Sequence, residues 1–139
     1  MMNEIKILHL ESRANCQLHD ITQECSDFIN SINAAKGLLT VAVKGSTASI
    51  TTIEYEQGLI SDVPQILEKL IPQGSYHHDE TWHDGNGHSH LRSTIIGTSK
   101  GFPVINGHIY LGTWQQIVMI DFDNKPRSRE IALHFAGEQ

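Results

Sequence analysis

The stretch that decides the fold lies near the end of the chain, where residues 114–135 read WQQIVMIDFDNKPRSREIALHF. Its two apolar parts, WQQIVMIDF (114–122) and REIALHF (129–135), have the composition of buried strands. Between them, Asp123-Asn124-Lys125-Pro126 has the side-chain chemistry of a tight reversal. Upstream, Asn106-Gly107 predicts a two-residue hairpin that joins residues 102–105 to residues 108–112. The last third of the chain is therefore predicted to be mostly β.

The first two thirds of the chain alternate between predicted strands and helices. Residues 3–12, 38–43 and 48–55 are predicted strands, and HSHLRSTIIG (88–97) also has strand-like composition. Asp20 is predicted to cap a first helix that ends at Gly37, and Ser61 or Asp62 to cap a second that ends at Pro72. We predict a mainly β (α+β) fold in a single domain, residues 1–139: a jelly-roll-like β-sandwich or barrel with two or three helices packed on the outside.

Composition excludes several classes of protein. Ten Lys and Arg against 16 Asp and Glu give a net charge of −6, which argues against a nucleic-acid partner because such a partner requires a basic face. No apolar run reaches the roughly 18 residues of a membrane span, and no secretory signal is visible. Cys16 and Cys25 form no disulfide framework, and Cys25 lies on the apolar stripe of the first predicted helix. We therefore expect reduced thiols and a cytoplasmic protein that contacts neither membrane nor nucleic acid.

Residues 73–87 show no hydrophobic period and are predicted to form the longest loop of the chain. Five of the nine histidines lie within residues 77–90, in and just after this loop. In the strand predicted over residues 88–97, His88 and His90 would share one face about 6–7 Å apart, a separation at which both can bind one metal ion. His78 is the first candidate for a third ligand, with His83, Asp84 and Glu54 as alternatives. Three imidazoles suit zinc or another transition metal better than magnesium, so we expect a divalent metal as cofactor. The competing interpretation is a flexible loop of polar surface histidines.

A second candidate feature is Lys44-Gly45-Ser46-Thr47-Ala48, at the end of a predicted buried strand. Glycine allows close approach of the backbone to a ligand, and consecutive N–H groups with hydroxyls can bind an anion. We assign Lys44, Ser46, Thr47 and Asn86 to ligand binding, with an ordinary turn as the alternative. Arg92 is expected on the same strand face as His88 and His90, where it would bind a phosphate or carboxylate. The alternative for Arg92 is a surface ion pair.

Two carboxylates complete the predicted site. Glu54 and Asp84 are candidates for a general base beside a metal-bound water. Trp114 is predicted to lie in the core rather than to serve as a platform for a ligand. The isolated histidines, His9, His19, His108 and His134, are expected at surface or edge positions.

With these residues in hand, the chain resembles the YjbQ-like family. The resemblance covers nearly the whole chain and rests on GSTASITTIEYE (45–56), Tyr76-x-His78, DGNGHSHLRSTIIG (84–97), LGTWQQIV (111–118) and Pro126-Arg127-Ser128-Arg129. It implies a mostly β, jelly-roll-like fold, a homotrimer, and a metal site on His78, His88 and His90. Members are often described as secondary thiamine-phosphate synthases, which join a hydroxymethylpyrimidine diphosphate to a thiazole phosphate and release pyrophosphate. Where many members have His-Thr-Thr-Ala, this chain has Gly45-Ser46-Thr47-Ala48.

Three functions follow from the sequence. The first is an enzyme that acts on phosphorylated small molecules, with thiamine phosphate synthesis as the named candidate. The second is a metal-dependent hydrolase, in which the same histidines activate a water molecule. The third is a non-catalytic trimeric protein that binds a metabolite.

Overall fold

The computed structural model describes residues 1–139 and contains eight strands and four helices. The predicted mixed α+β class with a majority of strands is confirmed, but the chain has four helices instead of two or three. In chain order the elements are β1 (Met2–Ser12), β2 (Gln17–Asp20), α1 (Thr22–Ser31), β3 (Lys36–Val43), β4 (Ala48–Glu54), α2 (Gln57–Leu70), α3 (His77–Trp82), α4 (Gly87–Ile96), β5 (Ser99–Ile105), β6 (His108–Ile109), β7 (Gln115–Asp121) and β8 (Arg127–Glu138).

The strands form two antiparallel sheets. One sheet has five strands in the order β1-β8-β3-β5-β6, and the other has three in the order β2-β7-β4. Strands β7 and β8 are consecutive in sequence but lie in different sheets, because the turn over residues 123–126 redirects the chain. Both apolar parts of the 114–135 stretch are strands, as predicted, whereas the more specific jelly-roll prediction is not confirmed.

The main hydrophobic core lies between the two sheets. Ile117 and Met119 of β7 belong to this core, and α1 adds Cys25, which is 0% exposed. The alternate β7 residues, Val118 and Ile120, belong to a second apolar cluster with Leu67 of α2. Strand β7 is therefore buried on both faces, which explains its continuous apolar run. The prediction that Cys25 is a core residue is confirmed.

The prediction of a strand over residues 88–97 is wrong, because Gly87–Ile96 form helix α4. Two serines four residues apart dock the helix onto the three-stranded sheet: Ser89 Oγ donates to the carbonyl of Phe122 and Ser93 Oγ to that of Ala48, both at 2.6 Å. Their small side chains allow the helix to approach the sheet closely. The β-branched residues near the end of the segment, Thr94, Ile95 and Ile96, give it a composition typical of a strand. In a helix the residues of one face recur every three to four positions rather than every two, so the residues predicted to share a face do not.

Three further boundary predictions are wrong. Gly37 lies inside β3 rather than at the end of a helix, paired with Gly137 of β8, and a Cβ at Gly37 would lie 2.3 Å from the carbonyl oxygen of Ala136. Helix α2 begins at Gln57 with Glu56 as its cap, so Ser61 and Asp62 lie inside it. The segment predicted as a loop over residues 73–87 contains the short helix α3.

The Asn106-Gly107 hairpin is confirmed between β5 and β6. Both residues adopt the left-handed backbone conformation that a two-residue hairpin of this kind requires, with φ of 52° and 79°. None of the four helices has the length and apolar character needed to cross a membrane.

Candidate functional site

A polar cleft lies at one end of the three-stranded sheet, where β4 begins and β7 ends. Its volume is about 280 Å³, and none of its nine lining residues is hydrophobic. We call this cavity the polar cleft; its lining comprises Gly45, Ser46, Thr47, Asp84, Asn86, His90, Asp123, Arg127 and Arg129. The three segments that supply it are the loop before β4, the start of α4, and the β7–β8 turn.

A buried ion-pair network forms the floor of the polar cleft. Arg129 donates from Nε to Asp121 Oδ2 at 2.7 Å and from Nη2 to Asp121 Oδ1 at 2.8 Å. Its Nη2 also donates to Thr47 Oγ1, which in turn donates to Asp123 Oδ2 at 2.8 Å. The hydrogen bonds and charge of Asp121 raise the pKa of Arg129 although burial opposes this. The floor is therefore a platform held together by hydrogen bonds from one buried guanidinium.

Asp123 is ionised on the same platform. Burial would raise its pKa, but hydrogen bonds from Thr47, from the Lys125 backbone amide and from Arg127 outweigh burial, so the pKa is lowered. Arg127 donates from Nε to Asp123 Oδ2 at 3.0 Å, and its two Nη groups make no hydrogen bond within the protein. The side chain of Arg127 is 45% exposed, so these donors face solvent or a ligand.

The loop before β4 adds backbone donors. No protein group accepts a hydrogen bond from the consecutive amides of Gly45, Ser46 and Thr47. Gly45 has a φ of +148°, and a Cβ there would lie 2.7 Å from Arg129 Nη1. Glycine is therefore required at this position by both conformation and space. The sequence-based expectation of an anion-binding loop agrees with this arrangement of unpaired amides.

A pair of histidines stands at the rim of the polar cleft. The rings of His78 (α3) and His90 (α4) have centroids 4.4 Å apart. Burial and then the nearby His78 lower the pKa of His90, so its neutral form prevails at pH 7. His78 Nδ1 is buried without a hydrogen bond, and it lies 3.5 Å from Asp84 Oδ1.

Asp79 and Asn86 hold these elements together. Asp79 accepts from the Gly87 amide at Oδ1 and from the Tyr76 amide at Oδ2, and the Gly87 bond is the main reason that its pKa is lowered. Asn86 Oδ1 accepts from the amide of Asn124 and lies 2.6 Å from Ser89 Oγ. These contacts join α3, α4 and the β7–β8 turn around the polar cleft.

The arrangement fits a metal ion with mixed nitrogen and oxygen ligands. One ligand atom each from His78, Asp79 and Asp84 lie within 4.8 Å of one another. Asp79 already accepts two backbone amides, whereas His78 Nδ1 has no partner and Asp84 has one oxygen engaged by the Asn86 amide. The donor set suits zinc or another transition metal better than magnesium, which prefers oxygen ligands alone.

The structure brings together only part of the predicted site. The polar cleft is lined by His90, Asp84, Asn86, Ser46 and Thr47, and His78 packs against His90. Lys44 instead points outward, with its side chain 83% exposed and 3.6 Å from Glu130. Glu54 lies at the far end of β4, about 20 Å along the strand from Thr47, in a separate surface cleft with Trp114.

His88 and Arg92 lie on the other side of α4. The convergence predicted for His88 and His90 depended on a strand, and helical geometry places them on different faces. His88 and Arg92 are four residues apart and line a separate cavity of about 190 Å³. Burial and then the charge of Arg92 lower the pKa of His88. Neither residue lines the polar cleft.

Sequence reasoning did not select the acidic and basic residues of the floor as site residues. Asp121 and Asp123 end an apolar strand two residues apart, and Arg127 and Arg129 follow the turn with the same spacing. This paired pattern around a turn was the available signal. Trp114 was also misplaced: it is 72% exposed rather than buried.

Comparison with known proteins gives a consistent result across the chain. Residues 6–138 match the family described as UPF0047 protein YjbQ-like. A UPF0047 protein of Methanothermobacter thermautotrophicus is 39% identical over 132 residues, which cover 94% of this chain and 90% of the relative. The UPF0047 protein YugU of Bacillus subtilis is 28% identical over 96% of this chain and 99% of its own length.

Solved structures show the same fold. A hypothetical protein from Aeropyrum pernix K1 superposes with a TM-score of 0.90 at 33% identity, covering 97% of this chain and 99% of the other. A protein of unknown function from Sulfolobus solfataricus gives 0.87 at 28% identity, covering 99% and 100%. These matches establish the relationship and the fold, and they assign no activity.

Proposed function

Because the chain belongs to the YjbQ-like UPF0047 family, we propose that its polar cleft binds the phosphate of a phosphorylated small molecule. The observation that carries the proposal is the set of free donors at the cleft. The amides of Gly45, Ser46 and Thr47 have no protein partner, and the Nη groups of Arg127 are likewise unpaired. Backbone amides and a guanidinium are the usual ligands of phosphate oxygens.

Charge in the polar cleft supports a divalent cation as part of this site. Arg127 and Arg129 are balanced by Asp123 and Asp84 among the lining residues, so a phosphate gains little from net charge alone. We propose that His78 and Asp84, with Asp79 adjacent, hold such a cation, with zinc as the first candidate. When bound there, the cation supplies positive charge for phosphate oxygens.

Thiamine phosphate synthesis is the specific reaction that the family resemblance suggests. In this proposal, the Gly45–Thr47 amides and Arg127 bind phosphate oxygens, and the Arg129 platform keeps Arg127 in place through Asp123. The thiazole nitrogen forms the new C–N bond as the C–O bond to pyrophosphate breaks, and no proton has to move. His90, whose lowered pKa keeps it neutral at pH 7, donates its ring N–H to an oxygen of the departing pyrophosphate. Arg92, His88, Lys44 and Glu54 lie elsewhere and take no part.

A steady-state assay of both products tests this reaction. We expect the wild type to release pyrophosphate from the two thiamine precursors, and His90→Ala to lower kcat by about 100-fold or more, the usual size for the loss of one hydrogen-bond donor to a developing charge. His88→Ala is the matched control, because it changes a histidine of the same helix on the opposite face. Equal losses in both variants, or no turnover by the wild type, would refute the synthase proposal.

The same assay separates the two alternatives. Phosphate release without the second precursor would indicate a hydrolase, in which Asp84 accepts the proton of a water. Binding of the precursors without any turnover would indicate a non-catalytic metabolite-binding protein.

Elemental analysis of untagged protein tests the metal. We expect near-stoichiometric metal in the wild type and its loss in His78→Ala. His77→Ala is the control, since that adjacent histidine is fully exposed and lies outside the metal group. Metal content that is unchanged in His78→Ala would exclude this site.

We also propose a homotrimer in the cytoplasm. Exposed apolar side chains on the five-stranded sheet, including Ile5 (64%), Ile7 (42%) and Leu38 (48%), support a covered face. Free Cys16 and Cys25 support a reducing compartment. Light scattering of the wild type should give a mass three times that of one chain. Ile5→Lys should lower this mass, whereas the control Glu4→Lys should not. A monomeric wild type would contradict the trimer.

A further inference from the structure

The cavity on the other side of α4, which we call the side cavity, has a volume of about 190 Å³. It lies between the end of α2, the loop before β2, and the face of α4 opposite the polar cleft. The two cavities share no lining residue. The lining consists of Asn15, Cys16, Pro64, Glu68, Gln73, His88, Arg92 and Phe122.

Arg92 in this cavity is a buried cation with unused donors. The residue is 4% exposed. Its Nε and Nη2 donate to the carbonyl of Ile71, and Nη2 also donates to Glu68 Oε2 at 3.0 Å. No protein group accepts from Nη1. Because the side chain of Glu68 is 58% exposed, its charge is screened by solvent and compensates the buried guanidinium only in part.

His88 gives a second, independent indication of a ligand. It is 4% exposed, and its Nδ1 is buried without a hydrogen-bond partner. Buried polar groups without partners are rare, because each one loses its hydrogen bonds to water without replacement. An unpaired imidazole nitrogen and an unpaired guanidinium group therefore occur in residues that line the same cavity.

We propose that the side cavity binds a small oxyanion, a carboxylate or a phosphate, through the free Nη1 group of Arg92. The carboxylate of Glu68 already shows the chemistry that this guanidinium accepts. The amide side chains of Asn15 and Gln73 add neutral hydrogen-bond donors to the lining. Nothing in this assignment depends on the polar cleft, which lies across α4.

The proposal is tested by NMR titration of ¹⁵N-labelled protein, first with inorganic phosphate and then with acetate. The signals of the side cavity and of the polar cleft are followed separately. We expect saturable shifts of the Arg92 Nε–Hε signal and the Cys16 amide with at least one probe. The probe that saturates at the lower concentration identifies the class of oxyanion. Shifts of the Ser46 and Thr47 amides report the polar cleft separately, and Arg127→Gln should weaken binding at that site only. Failure of one site therefore leaves the other testable.

Two variants at the exposed Gln73 make the test quantitative without disturbing the core. Gln73→Lys should tighten binding at the side cavity and Gln73→Glu should weaken it, each by about fivefold, as expected for one charge near the surface. Both variants keep the backbone amide that bonds Glu68. The proposal is overturned if the Arg92 and Cys16 signals do not move with either probe, or if both variants bind like the wild type.

Discussion

Two buried arginines line the cavities on opposite sides of α4, and they differ in how deeply their carboxylate partners are buried. Arg129, below the polar cleft, is bonded twice to Asp121, a carboxylate that is itself 0% exposed. Arg92, in the side cavity, has a backbone carbonyl and a largely exposed carboxylate as partners. Both arginines keep an Nη1 group without a protein acceptor, but only Arg129 has its charge compensated by a buried carboxylate. Arg129 is therefore the structural residue, and Arg92 is the arginine whose charge an added anion would compensate. The burial of the arginine itself does not distinguish these two roles, because both residues are buried. The burial of the carboxylate partner, Asp121 or Glu68, distinguishes them.

The largest expected effect comes from breaking the platform. Arg129→Met leaves Asp121 buried without its cation, whereas Asp123 keeps Arg127, and it should lower the free energy of unfolding by about 3–5 kcal/mol. Arg127→Met is the control: its partner Asp123 is also buried, but Asp123 keeps the Thr47 hydroxyl, the Lys125 amide and the nearby Arg129. The loss should therefore stay below about 2 kcal/mol. Urea denaturation at pH 7 measures both. Similar losses in the two variants would show that Arg129 is not the platform residue.

A smaller effect is expected in the side cavity. Arg92→Met leaves the carbonyl of Ile71 without its donor, and we expect a loss of about 1–3 kcal/mol in the free energy of unfolding. Glu68→Gln should cost less than about 1 kcal/mol, because the exposed carboxylate contributes little. A loss with Arg92→Met as large as that with Arg129→Met would remove the contrast between the two arginines.

The glycine beside Arg129 gives the next prediction. Gly45→Ala forces a side chain into the left-handed region and against Arg129 Nη1, so we expect a loss of about 1–2 kcal/mol. Gly74→Ala, at an open surface position, should change stability by less than about 0.5 kcal/mol. Thermal unfolding of both variants measures the difference, and an unchanged melting temperature for Gly45→Ala would contradict the steric argument.

The smallest expected effect is a pH dependence of the free energy of unfolding, to which His88 and His90 on different faces of α4 both contribute. The folded pKa values of His88 and His90 are lowered, first by burial, so the unfolded state binds more protons below the ordinary histidine pKa of about 6.5. Stability should therefore fall as the pH drops from 7 toward 5, by less than about 1.4 kcal/mol per pH unit for each histidine. His88→Gln and His90→Gln should each flatten the slope, whereas the exposed His77→Gln should not. Equal slopes in all three variants would argue against this account.

Much of the fold could be predicted from local chemistry. The strands around residues 38–43 and 114–135 have apolar runs that only burial explains, and Asn106-Gly107 specifies its hairpin through backbone conformation. Helix α4 could not be predicted, because its docking face consists of Ser89 and Ser93, small polar residues that give no apolar stripe. Because a strand was predicted for this segment, His88 and Arg92 were expected on the same face as His90. In helix α4 they line the side cavity instead.

Part of the candidate site could be predicted from residue type alone. His78, His90, Asp84, Asn86, Ser46 and Thr47 were selected by residue type and lie together. The platform of Arg129 and Asp121 depends on β7 and β8 entering different sheets, and no local pattern specifies that change. Lys44 was selected as part of the Lys44–Ala48 loop, but its side chain points outward. Glu54 was selected as a carboxylate, but the length of β4 places it away from the polar cleft.

The central claim is that the Gly45–Thr47 amides and Arg127 form a phosphate site. The most direct measurement is a titration of the wild type with inorganic phosphate, followed at the Ser46 and Thr47 amides and at Arg127 Nε, beside the same titration of Arg127→Gln. The account predicts saturable shifts at all three signals of the wild type, and binding at the two amides that is about tenfold weaker or more in Arg127→Gln. Amides that do not respond to phosphate in the wild type, or respond equally in both proteins, would contradict it.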